Sequence, residues 1–477
     1  MPRNPDRRTA PADPEQGGRP RRRPQRSPRP GRARRVSDAA PGPEVGQEFE
    51  LEVGPVAHGG HCVARLDGRV VFVRHTLPGE RVRARVTEGG PTFWRADAVE
   101  VLEASPDRVE PLWPAAGADG VGGGELSHVA LPAQRRWKTA VLVEQLQRLA
   151  RLDADWLAEH VTVEAAPADD ERRGLHYRTR IDLVADADGH AGMRKHRSHD
   201  IVALKKMPLA SAELAAFAVA EDVFTRTWTP GARLELVAPS EGDPALLVDG
   251  EPWRRGKPDS RPNARRAVTE VVTGPWGTHR YRVAADGFWQ VHREAPAVLT
   301  GAVLDAAGAS AGELAGATVL DLYSGAGLFT LPLADAVGHE GRVVAVEGDE
   351  RAVKDARRNA HAHGQVELRL GAVDRVLAGG PGEAEVPAAD VVVLDPPRSG
   401  AGRAVVDAIA AREPRRIVYV ACDPAALARD VGYLAAHGYA LTGVRGFDLF
   451  PHTHHVEAVA VLDRQGWTVD ETPGQYA

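Results

Sequence analysis

Val319-Leu320-Asp321-Leu322-Tyr323-Ser324-Gly325-Ala326-Gly327-Leu328-Phe329-Thr330 is an apolar run that breaks into a Gly-x-Gly turn and resumes with a helical pattern. It begins a series of apolar runs near 317–321, 342–346, 366–370, 389–394, 416–421 and 455–462, with helical stretches between most of them. Strands and helices alternating at this spacing predict an α/β fold with a doubly wound parallel sheet of Rossmann-like type. In such sheets ligands bind at the carboxyl ends of the strands. Several of those ends carry chemistry: Gly325 and Gly327 after the first run, Glu347 at the end of the second, Asp395 after the fourth and Cys422 after the fifth.

The glycine pair lets backbone approach a ligand, and Glu347 at the next strand end can accept hydrogen bonds from both hydroxyls of a ribose. A dinucleotide would want a third glycine where Thr330 stands, for close helix packing and contact with a pyrophosphate. With Asp321 also beside the turn, a cationic nucleoside without phosphates fits better, and S-adenosyl-L-methionine is one. Asp374, just past the third run, is a candidate acceptor for the adenine amino group, with an exposed loop acid as the alternative reading.

A chain of 477 residues has room for two or three domains. Its two cysteines cannot form a disulfide framework, and no run of eighteen apolar residues is present, so no membrane association and a cytoplasmic location are expected. The net charge of −6 is uneven: residues 1–40 hold twelve arginines against Asp6, Asp13, Glu15 and Asp38. Rich in proline and poor in large apolar residues, this tail is expected to be disordered and able to gather on a polyanion.

Between Glu44 and Glu103 short alternating runs such as Phe49–Val53, Val70–Val73 and Val82–Val86 are punctuated by Gly59-Gly60 and Pro78-Gly79, which predicts a small β-barrel. The stretch AHGGHCVARLDGRVVFVRHTLPGERV (57–82) resembles a TRAM domain, an OB-like barrel that binds RNA. Residues 133–152 have helical spacing. The weaker α/β pattern that follows places basic residues in turns, among them Arg178, Arg180, Arg194, Lys195, Arg265 and Arg266, which as a cluster suggest a phosphate track.

Methylating a uracil at C5 needs a thiolate that adds to C6, a methyl donor for the resulting enolate carbon, and a base for the C5 proton. Cys422 and Glu457 supply the thiol and the base, and the donor would lie over Asp395-Pro396-Pro397. Five ordered motifs resemble the RNA uracil-C5 methyltransferase family: GFWQVH (287–292), DLYSGAG (321–327), DPPRSG (395–400), YVACDPAALARD (419–430) and FPHTHHVE (450–457). The resemblance implies a class I methyltransferase domain in which Gln290, Tyr323, Glu347 and Asp395 surround the donor, with Cys422 as nucleophile and Glu457 as base.

Two departures stand out. Where many relatives carry a Cys-Gly-Gly-Cys run for an iron–sulfur cluster, this chain has Val121-Gly122-Gly123-Gly124, with Trp113 upstream and Met207 at a further ligand position, so no cluster is expected. Asp423 stands after the nucleophile where Asn is frequent, and its charge disfavours a thiolate unless something offsets it. His452, His454 and His455 match no common zinc spacing, so no metal is expected.

The expected organisation is an Arg/Pro-rich tail (1–43), a TRAM-like barrel (44–104), a central α/β RNA-binding region (105–283), the methyltransferase domain (284–467) and a C-terminal tail (468–477). The expected protein is a monomer acting on structured RNA, ribosomal RNA being favoured over transfer RNA. A cytosine-C5 enzyme and a non-catalytic RNA chaperone on the same fold are the alternatives.

Overall fold

The structure, a computed structural model, describes residues 45–196, 198–379 and 385–466. The expected N-terminal and C-terminal tails lie outside the described residues.

Strands β1 (Glu48–Ala57), β2 (His61–Leu66), β3 (Arg69–Arg74), β4 (Arg81–Glu88) and β5 (Phe93–Glu103) close into a barrel in the order β1-β2-β3-β5-β4. Side chains alternate as the pleat requires: Val82, Ala84 and Val86 are buried, while Arg81, Arg83 and Arg85 face out and pair with acids such as Glu103 and Glu48. Helix α1 (Leu131–Leu149) then ties the barrel to the rest of the molecule. Ala133, Trp137 and Val141 join the barrel core, whereas Leu142 and Leu146 join the core beneath the C-terminal sheet. Lys138 is fully buried on this helix, where its ammonium pairs with Asp448 and donates to Phe450 O.

Helix α2 (Ala154–His160) and strand β6 (Val163–Ala165) follow. A seven-stranded antiparallel sheet then takes in β7 (Arg180–Ala185), β8 (Ala191–Arg194), β9 (Ile201–Ala203), β10 (Arg233–Val237), β11 (Ala245–Val248), β12 (Glu251–Arg254) and β13 (Lys257–Pro258), with α3 (Ala212–Ala220) between β9 and β10. Four of the residues in the basic turns are engaged within the fold. Arg180 is buried against Glu270 and donates to Ala285 O and Gly287 O, Lys195 pairs with Asp119, and Arg265 and Arg266 pair with Asp243 and Glu251.

The hairpin β14 (Ala267–Gly274) and β15 (Gly277–Ala284) leads through a loop into α4 (Ala295–Ala307) and the C-terminal α/β unit. There β16 (Thr318–Leu322), α5 (Thr330–Val337), β17 (Arg342–Glu347), α6 (Glu350–Asn359), β18 (Val366–Leu370), α7 (Val373–Ala378), β19 (Val391–Leu394), α8 (Gly402–Ala410), β20 (Arg416–Ala421), α9 (Pro424–Ala435), β21 (Tyr439–Asp448) and β22 (Glu457–Arg464) succeed one another. The sheet order is β18-β17-β16-β19-β20-β22-β21-β6.

Its first five strands are parallel, and because helices cover both faces the inner ones, β17, β16, β19 and β20, read as continuous apolar runs. The sheet as a whole is mixed, which corrects the all-parallel expectation: β22 runs antiparallel to β20, and β21 antiparallel to β22. Strand β21 had no counterpart in the sequence reading, since Gly443, Gly446 and a register shift after Leu441 interrupt its alternation. The strand order reverses between β16 and β19, so the carboxyl ends of these two strands flank the crevice that α/β sheets use for ligands.

Candidate active site

The turn after β16 is strained in the way ligand-binding turns are. Tyr323 holds φ 63°, Gly325 56° and Gly327 97°, and a side chain at Gly325 would meet open space, so its backbone faces an unfilled cleft. Glu347 ends β17 with one oxygen accepting from Gly325 N at 2.9 Å and the other from Asp349 N at 2.7 Å. Both oxygens keep lone pairs for ribose hydroxyls. Asp321 is buried and accepts from Thr330 Oγ1 at 2.5 Å, so Thr330, which stands in place of a third glycine, serves the turn through its hydroxyl. Burial pushes the Asp321 carboxyl up to about 7, opposed by the Thr330 bond and reinforced by Glu347.

Tyr323 and Asp395 each follow the last residue of their strand, one step past the Leu322–Leu394 pair of β16 and β19. Burial, then the charge of Asp321, pushes Asp395 up to about 7. The Tyr323 hydroxyl is pushed up to about 12, first by burial and then by Asp374, which is exposed in the first turn of α7. Gln290 is buried in the loop between β15 and α4. That loop is pinned by the Arg180 bonds to Ala285 O and Gly287 O, and by Trp289, whose ring lies 5.1 Å from that of Tyr281. Tyr281 in turn donates to Leu328 O behind the glycine turn at 3.0 Å. Two residues before Gln290, Phe288 is 77% exposed, an aromatic presented to solvent that the sequence reading did not single out.

Cys422 follows the last residue of β20, and Glu457 is the first of β22. The register pairs Ala421 with Ala458, so these two side chains are neighbours one step further along. Burial pushes the Cys422 thiol up to about 12, with Glu457 and Asp395 adding to the shift and Arg398 opposing it. Burial likewise raises the Glu457 carboxyl far above the carboxylate range, with Asp395 adding and Arg398 opposing. Arg398, unassigned from sequence although it lies within the DPPRSG motif, is thus the cation that faces both groups. Its Nη2 is 3.4 Å from His455 Nε2.

Asp423 caps α9 by accepting from Ala426 N at 2.8 Å, and its second oxygen lies 3.2 Å from Nε2 of His58 on the barrel's first turn. Gly60 of that turn packs against His454, whose Nδ1 is hydrogen-bonded to the buried Glu125. Against the cost of burial, the His454 bond and charge hold Glu125 ionised well below the usual carboxylate range, whereas burial pushes His455 down to about 3. Ligand atoms of Glu125, His454 and His455 converge within 4.8 Å of one another, a grouping that sequence spacing could not disclose because Glu125 enters from the far side of the chain. His452 turns away to Gln134 and Arg173 O.

Trp113, Val121 and Met207 share one apolar core. A Cβ on Gly124 would lie 2.6 Å from the Trp113 ring and 2.7 Å from Ala116, so the indole occupies the space. With no thiolate among them, these residues do not fit an iron–sulfur cluster.

The family model for the TRAM domain matches residues 43–99, and that for tRNA (Uracil-5-)-methyltransferase matches 386–465. The model for Protein-L-isoaspartate(D-aspartate) O-methyltransferase matches 312–381. An uncharacterized RNA methyltransferase of Streptomyces coelicolor is 44% identical over 441 residues, covering 88% of this chain and 93% of its own. One of Bifidobacterium longum is 42% identical over 437 residues, covering 87% and 97%. Among solved structures, the tRNA (uracil-54, C5)-methyltransferase of Pyrococcus abyssi, in complex with S-adenosyl-L-homocysteine, shares the fold with a TM-score of 0.60 at 22% identity, covering 87% of this chain and all of that one. The chain belongs to the RNA methyltransferases of the tRNA (uracil-5-)-methyltransferase family and carries their methyltransferase fold behind an N-terminal TRAM barrel.

Proposed function

We propose that this RNA methyltransferase methylates uracil at C5 in structured RNA, using Cys422 as nucleophile and Glu457 as base. The observation that carries the reading is the strand register that makes Cys422 and Glu457 neighbours beside Asp395, at the crevice where the strand order reverses. The residues at the glycine turn fit S-adenosylmethionine: Ser324 Oγ is buried with no hydrogen-bond partner among the described residues, Gly325 faces open space, and Glu347 is held in place by two backbone N–H groups. When bound, that cofactor supplies an electrophilic methyl group. Gln290, Tyr323 and Asp395 line its place, and Asp374 is the proposed acceptor for the adenine amino group.

Cys422 then adds to C6 of the uracil, Arg398 favours the thiolate, and Glu457 takes the C5 proton. A carboxyl raised by burial is the stronger base for that step. Phe288 offers an exposed ring on which a base can stack. The substrate is ribosomal or transfer RNA. Mass spectrometry of nucleosides from separated ribosomal and transfer RNA, with and without the gene, tests both points. Loss of 5-methyluridine from one fraction supports the reading and names the RNA; loss of 5-methylcytidine moves the target to cytosine, and no change in either fraction removes it.

A further inference from the structure

Where the end of α1 meets α9, Leu149 is 41% exposed. With Ala425, Ala426 and Tyr433 it floors an open groove of about 660 Å³, a size in the range of ligand sites. Arg151, Arg398 and Arg429 stand at its rim. Arg429 is engaged with Asp430 and Ser399 O, but Arg151 has no ion pair among the described residues, and neither has Arg403, whose guanidinium lies 4.1 Å from the centre of the Tyr433 ring. The one carboxylate in the lining, Asp423, is already occupied by the α9 cap and by His58. An apolar floor with an aromatic ring beneath a cationic rim suits a base or ribose with its phosphate. The groove adjoins the Cys422 site, since Asp423 in its lining follows the thiol directly and Arg398, also in the lining, acts on that thiol.

We propose that this groove holds the RNA nucleotide adjoining the target base, with Arg151 taking its phosphate and the side chain of Tyr433, over whose ring Arg403 and Arg429 lie, packing against its base or ribose. The inference rests on the RNA methyl-transfer reading of the Cys422 site. It concerns a strand leaving that site, so a free mononucleotide is not the occupant.

The test uses the full-length protein and total RNA from a strain lacking the gene, with binding measured across a salt series and methyl transfer from labelled S-adenosylmethionine measured in parallel. Arg151→Glu should weaken RNA binding about tenfold at low salt and lower the log–log salt slope by about 0.7, the value for one phosphate contact on a single strand. Tyr433→Ala should weaken binding about tenfold and Tyr433→Phe should restore it. Binding of S-adenosylmethionine and the melting temperature serve as checks that each variant is folded. Wild-type affinity and slope in both Arg151→Glu and Tyr433→Ala would overturn the proposal, as would competition for the groove by adenosine monophosphate at low concentration. If these variants lose RNA binding while the wild-type protein transfers no methyl group, the groove stands only as an RNA-binding site, and both its place beside a target base and the methylation reading fall.

Discussion

His58 Nε2, on the turn between β1 and β2 of the barrel, lies 3.2 Å from Asp423 Oδ2, on the residue that follows Cys422. Asp423, which adds last to the burial, Glu457 and Asp395 that raise the thiol, is thus covered from the barrel side, while its other oxygen fixes the first turn of α9. The barrel's first turn therefore helps to seat the helix that begins directly after Cys422.

Replacing His58 with Ala should lower kcat/KM for RNA about tenfold and leave S-adenosylmethionine binding unchanged. Because the pair is partly exposed, its contribution to stability is under about 1 kcal/mol. Asp423→Asn keeps a good helix cap and removes a charge, so it should raise kcat/KM at neutral pH a few-fold. Steady-state kinetics on total RNA check both, and wild-type kinetics in His58→Ala would reduce the pair to an incidental contact.

Cys422→Ala should abolish methyl transfer without changing donor affinity, because the thiol acts on the uracil ring outside the donor site. Residual methylation well above a no-enzyme control, measured with labelled S-adenosylmethionine, would sink the covalent mechanism.

Glu457→Gln should permit addition and methyl transfer but block proton removal, so a protein–RNA adduct accumulates through Cys422. Denaturing gels with radiolabelled RNA check this. Free 5-methyluridine released at the wild-type rate would remove Glu457 from the role of base.

Most of the C-terminal sheet was legible because β16, β17, β19 and β20 are buried on both faces and read as plain apolar runs, followed or ended by Glu347, Asp395 and Cys422. Strand β21 was not, because two glycines and a bulge erase its period. Contacts between distant segments were equally out of reach. His58 and Glu125 look like ordinary turn residues until the fold brings them to Asp423 and His454. Arg180 was counted in a basic cluster read as a phosphate track, whereas burial against Glu270 makes it a brace for the Gln290 loop. Arg398 had a visible signal, a cation two residues past the Asp395-Pro396 strand end, and its meaning emerged only when Cys422 and Glu457 were seen to face it.

The pH dependence of the reaction follows from the same crowding of acids. Burial first, then Glu457 and Asp395, hold the Cys422 thiol at about 12, so in the free enzyme the thiolate fraction grows tenfold with each pH unit across the neutral range. The reactive form is the deprotonated one, so a raised thiol moves the rising limb of activity upward in pH. A plot of log kcat/KM, which reports the free enzyme, should therefore climb from pH 6 to 9 with a slope of at least one and no plateau. Asp395 is held at about 7, and as it ionises its new charge disfavours the neighbouring thiolate, so the climb should be shallower near pH 7 than near pH 9. Glu457 must also lose its proton to act as base, which would steepen the same limb. Following adduct formation in Glu457→Gln across the pH series isolates the thiol from the base. A plateau below pH 8 in that variant would mean that the site stabilises the thiolate before RNA arrives, and the electrostatic account of Cys422 would be wrong.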